Sequence, residues 1–260
     1  MFVLCDLVVM GVTQLHDVVY IVCRASSAIL RFNATTHQRL TDIHVKGLNS
    51  PSDIVACDQR SQLYVADSGE RVWRVSADGV HIKIWLPKSS TDTFTPYTLS
   101  VTSTRLLVTS RFTKQLIQLD SVGNYLRRVQ LPDHMEPRHA VESPTTTLIV
   151  SLHNMQLKQR QISEVNMEGQ VLRHFIGSRL ASLGSALHLA IDSHGNVFVA
   201  DFQNSRILLL DAQLTLRRVI IDEHQLHYKW PWCLCYREQT GQLLVGLYEK
   251  NVAVFDILRR

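Results

Sequence analysis

The sequence predicts an all-β chain folded as a six-bladed β-propeller of four-stranded antiparallel blades. Three observations carry this. Self-similar segments fill the chain. Equivalent positions recur at about 42–49 residues, the length of one blade. The strands are short, alternating and rich in β-branched residues, as in Leu63-Tyr64-Val65 and Ile82-Lys83-Ile84-Trp85, with no helix-period run of useful length.

The two best copies are Ser52 to Gly79 and Leu187 to Leu214. Each reads as a short apolar strand, a polar turn, a strand ending Val-Ala-Asp, a loop, and a third strand ending near Asp. A fourth strand follows each, HIKIWLP and LTLRRVII. Weaker copies start near Leu7, Thr98, His139 and Cys233. The position held by Asp in the best copies falls at Arg24, Asp67, Ser110, Leu152, Asp201 and Leu247. Turn signals such as Asp78-Gly79, Gly123-Asn124 and Gly195-Asn196 separate the strands. The blades therefore span about 7–46, 48–88, 94–132, 135–177, 183–222 and 228–260 of one domain, 1–260. The last copy stops after its third strand. Met1 to Cys5 is the candidate fourth strand, beside Asn251 to Phe255, so that the two ends of the chain close the ring.

Composition fits this reading and narrows the function. A chain of 260 residues with 45% apolar and 19% charged residues is an ordinary globular protein. A net charge of +4 is too small an excess to argue for nucleic acid by itself. The five cysteines are sparse and odd in number, and none of their spacings matches a zinc finger. They read as buried thiols in a reducing compartment, so a cytoplasmic location is expected. The apolar N-terminus lacks a basic leader and is interrupted by Asp6, so neither signal peptide nor membrane span is expected there. No nucleophile elbow, phosphate loop or His-Glu-x-x-His occurs, and no catalytic residue is assigned.

Pro51-x-Asp53-Ile54, Leu63-Tyr-Val-Ala-Asp67, Val72-Trp-Arg-Val75 and Asp78-Gly79 together resemble the NHL repeat. Asn196-Val-Phe-Val-Ala-Asp-Phe-Gln-Asn-Ser-Arg-Ile207 is a closer match still. The resemblance covers nearly the whole chain, strongly in copies two and five. It implies a binding module more than an enzyme.

Two rings of candidate ligand-binding residues follow from the alignment. The start of each inner strand faces the central channel, which selects Asp6, Asp53, Thr98, His139, His188 and Cys233. Imidazole with carboxylate suits zinc in kind. Asp53 lies two blades from His139, however, so no metal and no cofactor is expected. The amidating lyases, which resemble NHL propellers, bind zinc through histidines at this strand start. Arg138-His139-Ala140-Val141 and Leu187-His188-Leu189-Ala190 match that position, and a third histidine is missing. The second ring lies on the rim of the same face, with Arg111, His153 and Tyr248 beside Ala25, Ser68 and Phe202, and Arg24 just before it. Asp67…Arg71 and Asp201…Arg206 read as locks within their loops. Basic doublets such as Arg127-Arg128 and Arg217-Arg218 fall on outer strands, where they discourage edge pairing and favour a monomer.

The reading is a non-catalytic module presenting one propeller face to a protein or peptide. The alternatives are a metal-dependent lyase or hydrolase using the channel ring, and an RNA-binding domain of the NHL type.

Overall fold

The structure is a computed structural model that describes residues 2–3, 7–68, 71–86, 94–102, 104–177, 182–185 and 188–257. It contains six four-stranded antiparallel sheets arranged as a propeller. The only helical turns among these residues are two three-residue 3₁₀ turns, Asp58–Arg60 and Phe202–Asn204. The inner strands are Val9–Leu15, Pro51–Cys57, Thr98–Val101, Met135–Glu142, His188–Ile191 and Pro231–Arg237. In each of the first five blades the next three strands follow outward in chain order. The sixth blade takes Gln242–Leu247 and Asn251–Asp256, and Phe2–Val3 becomes its outer strand. Phe2 pairs with Val252 and Val3 with Asn251. The expected closing segment extends to residues 1, 4 and 5, which lie outside the described residues.

Strand alternation explains why the blades stack. Successive strand side chains point to opposite faces of a sheet. In the third blade Leu106 and Val108 face blade two, packing with Tyr64, Val72 and Trp85. Leu107 faces blade four, packing with Met135, Ala140 and Val150. The same partition yields six apolar clusters, each shared by two neighbouring blades, and the one between blades six and one joins Cys233, Leu244 and Val252 to Val9 and Ile21. Each fully buried Leu, Ile or Val in these layers contributes about 1.5–3 kcal/mol. The hydrophobic term thus holds blade to blade, and backbone bonds hold strand to strand.

Register places the repeat on common coordinates. Asp53 pairs with Ala66, Thr98 with Thr109, His139 with Ser151, His188 with Ala200 and Cys233 with Gly246. Each partner immediately precedes the Val-Ala-Asp position. In blade one the same offset falls on Gly11, opposite Val22 and one residue before Cys23. The expected members there, Asp6 and Arg24, are therefore out of register: Asp6 lies outside the described residues, and Cys23 takes the place assigned to Arg24. Blade one offers neither an Asp nor a loop of matching length to anchor the alignment.

Asp201 is fully buried and locks its loop. Its carboxylate accepts from Gly184 N–H (2.8 Å), Asn204 Nδ2 (2.8 Å) and Arg206 Nε (2.9 Å). Asp67 receives Ser50 N–H (3.1 Å) and the Trp73 indole N–H (3.3 Å), with Arg71 opposite it in register. Asp201→Ala removes the acceptor of Arg206 Nε and of the Gly184 N–H, while Arg206 Nη2 and Asn204 Nδ2 keep the Ser182 carbonyl. A loss of about 1–3 kcal/mol in denaturant unfolding is expected, and an unchanged midpoint would disprove the lock.

Candidate functional site

The strand-opening side chains meet at the propeller axis. Each reaches across to the backbone of the next inner strand. Asp53 Oδ2 accepts from Leu99 N–H (2.8 Å), and Thr98 Oγ1 donates to the Arg138 carbonyl (2.9 Å). His139 Nδ1 accepts from Leu189 N–H and His188 Nδ1 from Leu234 N–H, both at 3.3 Å. At blade one, Gly11 lets the strands approach closely: a Cβ there would lie 2.7 Å from the Ile54 nitrogen and 3.0 Å from Asp53 Oδ1.

Asp53, His139 and His188 converge. One ligand atom from each lies within 4.8 Å of the others. The histidine rings stack at 3.7 Å between centroids, and His188 Nε2 faces Asp53 Oδ2 at 3.8 Å. The expectation that blade separation keeps Asp53 away from His139 is corrected here. Inner strands crowd the axis, so two blades of rotation at that small radius is a short distance.

Hydrogen-bond roles decide what the trio can do. An imidazole whose Nδ1 accepts a backbone N–H carries its proton on Nε2 when neutral. His139 Nε2 then donates to the Leu99 carbonyl (3.1 Å). Neither Nε2 presents a lone pair to an ion, although the residue types and spacing would suit one. Burial first, then the neighbouring His188, hold the His139 imidazole well below its ordinary value of 6.5.

His139 and His188 separate two spaces on the axis. Toward the ends of the inner strands lies a funnel of about 540 Å³, lined by Thr13, Gln14, Asp58, Ser100 and Arg237 among others. Of its charged lining, Arg237 pairs with Asp58 (3.2 Å) and Glu142 with Arg105 (2.7 Å), while Glu238 accepts from the Ser193 hydroxyl. Toward the strand starts, which we term the entry face, His139 and His188 back a small pocket of about 30 Å³ with Met10, Tyr97, Thr98, Arg138 and Trp232. Cys233, expected at the channel mouth, lines neither space. Its thiol packs on Gly246, where a Cβ would come within 2.3 Å of the sulfur. Burial first, then Asp53, push that thiol well above its ordinary value.

No family model matches the sequence, and no curated protein matches it. Solved structures do. Hydrazine synthase of Kuenenia stuttgartiensis is similar with a TM-score of 0.68 and 12% identity, over 98% of this chain and 97% of that one. A catalytically inactive virginiamycin B lyase from Staphylococcus aureus, solved with quinupristin, is similar with a TM-score of 0.67 and 13% identity. That match covers 95% of this chain and 79% of the lyase. The chain is a six-bladed propeller. At these identities the likeness shows the fold alone.

The rim residues separate into two groups on the entry face. Tyr248 joins Phe202, Trp230 and Trp232 in one aromatic cluster across blades five and six. Phe202 meets Trp232 edge-on at 5.4 Å and Tyr248 at 5.6 Å. Trp230 packs on Phe202 at 5.6 Å and keeps 41% of its surface exposed. Arg111 and His153 gather with Arg138 and Arg160 around Glu136 at blades three and four. Arg24 is exposed on blade one. Trp230, Trp232, Glu136 and Arg138 were missed from the sequence because they sit just before or within the first residues of inner strands, ahead of the repeating position. The flanking motifs Trp-Pro-Trp and Glu-Pro-Arg were the available signal.

Two outcomes test the axial trio. The unfolded chain binds a proton on the His139 imidazole near its ordinary value of 6.5, whereas the folded site resists it. Stability is therefore full above about pH 6.5 and falls as the pH drops below it, by up to about 1.4 kcal/mol per pH unit for one proton. His139→Gln should flatten that dependence in denaturant melts; parallel curves for both proteins would refute the assignment. Zinc in the purified protein should be substoichiometric. Stoichiometric zinc that survives chelation and disappears in His188→Gln would overturn the tautomer argument.

Proposed function

We propose that the chain is an NHL-type propeller acting as a non-catalytic binding module, with the entry face as the surface offered to a protein or peptide. The observation that carries this is the aromatic cluster of Phe202, Trp230, Trp232 and Tyr248 opening onto the axial pocket. Large rings with one exposed edge, beside arginines, have the composition of interface hot spots. Trp232 and Arg138 line the same small pocket, so the aromatic and basic groups form one continuous surface. The hydrogen-bond roles of His139 and His188 favour binding over a metal-dependent lyase or hydrolase. The rings pack largely on one another, which leaves little free face for stacked bases and favours a peptide over RNA.

A cytoplasmic monomer is the accompanying reading. It is supported by the free thiols of Cys57, Cys233 and Cys235 and by charged outer strands bearing Arg127, Arg128, Arg217 and Arg218. No helix among the described residues is long and apolar enough to cross a membrane.

The test is selection of random linear peptides on the whole chain. Binders should lose at least about tenfold in affinity with Trp230→Ala, as hot-spot residues do. They should be unaffected by Tyr125→Ala on the outer strand of blade three. Failure to select any binder, or binders indifferent to Trp230, would reject the reading.

A further inference from the structure

On the entry face, between blades three and four, positive charge outnumbers its partners. Glu136, His153 and Arg160 lie opposite one another across three adjacent strands, hence on one face of the sheet. Arg111 reaches across from blade three. Its Nε and the Arg138 Nη2 (3.0 Å) meet the same oxygen, Oε1 of Glu136. Two guanidinium groups therefore share one carboxylate, Arg160 stands on the same sheet face one strand further, and these arginines have no other acidic ion-pair partner among the described residues.

Two guanidinium nitrogens in this group are buried with no hydrogen-bond partner, Arg138 Nε and Arg160 Nη1. A buried donor of a charged group left unpaired carries a cost that folding alone does not explain. Burial first, then Arg138, lower the affinity of Arg160 for its proton, and burial first, then Arg160, do the same for His153. In both cases the neighbouring arginines add to the effect of burial, and Glu136 offsets only part of it. Arg138 also lines the axial pocket with Met10, Tyr97 and Trp232, so the site opens beside an apolar recess.

We propose that this cluster is a binding site for the carboxylate of an acidic residue in an extended peptide, with a neighbouring apolar residue entering the recess between Met10, Tyr97 and Trp232. Guanidinium forks match a carboxylate in geometry and charge. A carboxylate is preferred to a phosphoryl dianion because Glu136 stays in the site, and a single negative charge meets it with less repulsion. The inference rests on the entry-face reading and gives its partner a chemistry.

The test uses the same random linear peptide selection. Peptides that require Trp230 should be enriched in Asp or Glu next to an apolar residue. Changing that acid to its amide in a selected peptide should weaken binding at least about tenfold, and Arg160→Gln should weaken the parent peptide to a similar degree. Arg160→Gln should leave the amide peptide nearly unaffected, which a general loss of structure would not do. Arg160→Lys keeps the charge without the fork and should fall between. As an independent readout, sodium acetate should shift the His153 imidazole resonances in the wild type and not in Arg160→Gln. Selected peptides that need Trp230 but show no acidic preference would overturn this proposal and leave the binding module standing. A uridine oligonucleotide that displaces the peptides and binds more tightly would mark a nucleic-acid face and overturn both.

Discussion

In four of the six blades the strand-opening side chain bonds to the backbone of the next blade, and the centre of the molecule depends on that interaction. Apolar layers hold the blades together but do not specify their rotation about the axis. The inner strands also bring backbone N–H and C=O groups together at the axis, away from bulk water, and such groups require partners. Asp53, Thr98, His139 and His188 supply them from one register position in four blades. Gly11 fills the same position in blade one by close approach instead. The polarity of the ring is thus a requirement of closure.

That requirement governs where function can lie. Two histidines and a carboxylate within one ion's reach look like a metal centre until their protons are assigned. With Nδ1 of both rings held by backbone donors, their remaining nitrogens are donors too, and the trio is committed to joining strands. His188 Nε2 is the exception, buried and without a protein partner beside Asp53. In the funnel, Arg237 and Glu142 each find an ion-pair partner. On the entry face two arginines share one glutamate.

How much of this was legible follows from the same division. The Val-Ala-Asp copies around Asp67 and Asp201 carry strand order, blade length and register, because each residue there serves the repeat. Equal offsets then placed Asp53, His139 and His188 at one radius. Blade one slipped by a residue, since Cys23 occupies the Asp position and nothing local marks it. The separation of Asp53 from His139 was misjudged because sequence gives the angle between blades and not the radius of the channel. Cys233 shares the ring's offset, yet its small thiol turns onto Gly246 instead of the axis; that choice depends on a residue in another strand. The residues that open the entry face were missed because repeats are found by what recurs, and Trp230, Glu136 and Arg138 do not recur.

The proposed binding surface is a departure from the repeat. Where the consensus Asp is kept, as in blade five, the carboxylate draws the loop arginine inward and neutralises it: Asp201 holds Arg206 at 2.9 Å. Blade four has Leu152 at that position, and the leucine joins the apolar layer against blade three. Arg160, one residue from the equivalent strand start, then has no carboxylate in its own loop. Blade three has Ser110 there, and Arg111 turns instead to Glu136 of its neighbour. Loss of the acid in two adjacent blades leaves Arg111 sharing Glu136 with Arg138, and Arg160 beside them without an ion pair of its own among the described residues. The pseudo-symmetry that stabilises the ring conceals positive charge in its faithful copies and leaves it available in its degenerate ones, so the least regular blades are where a ligand has chemistry to meet.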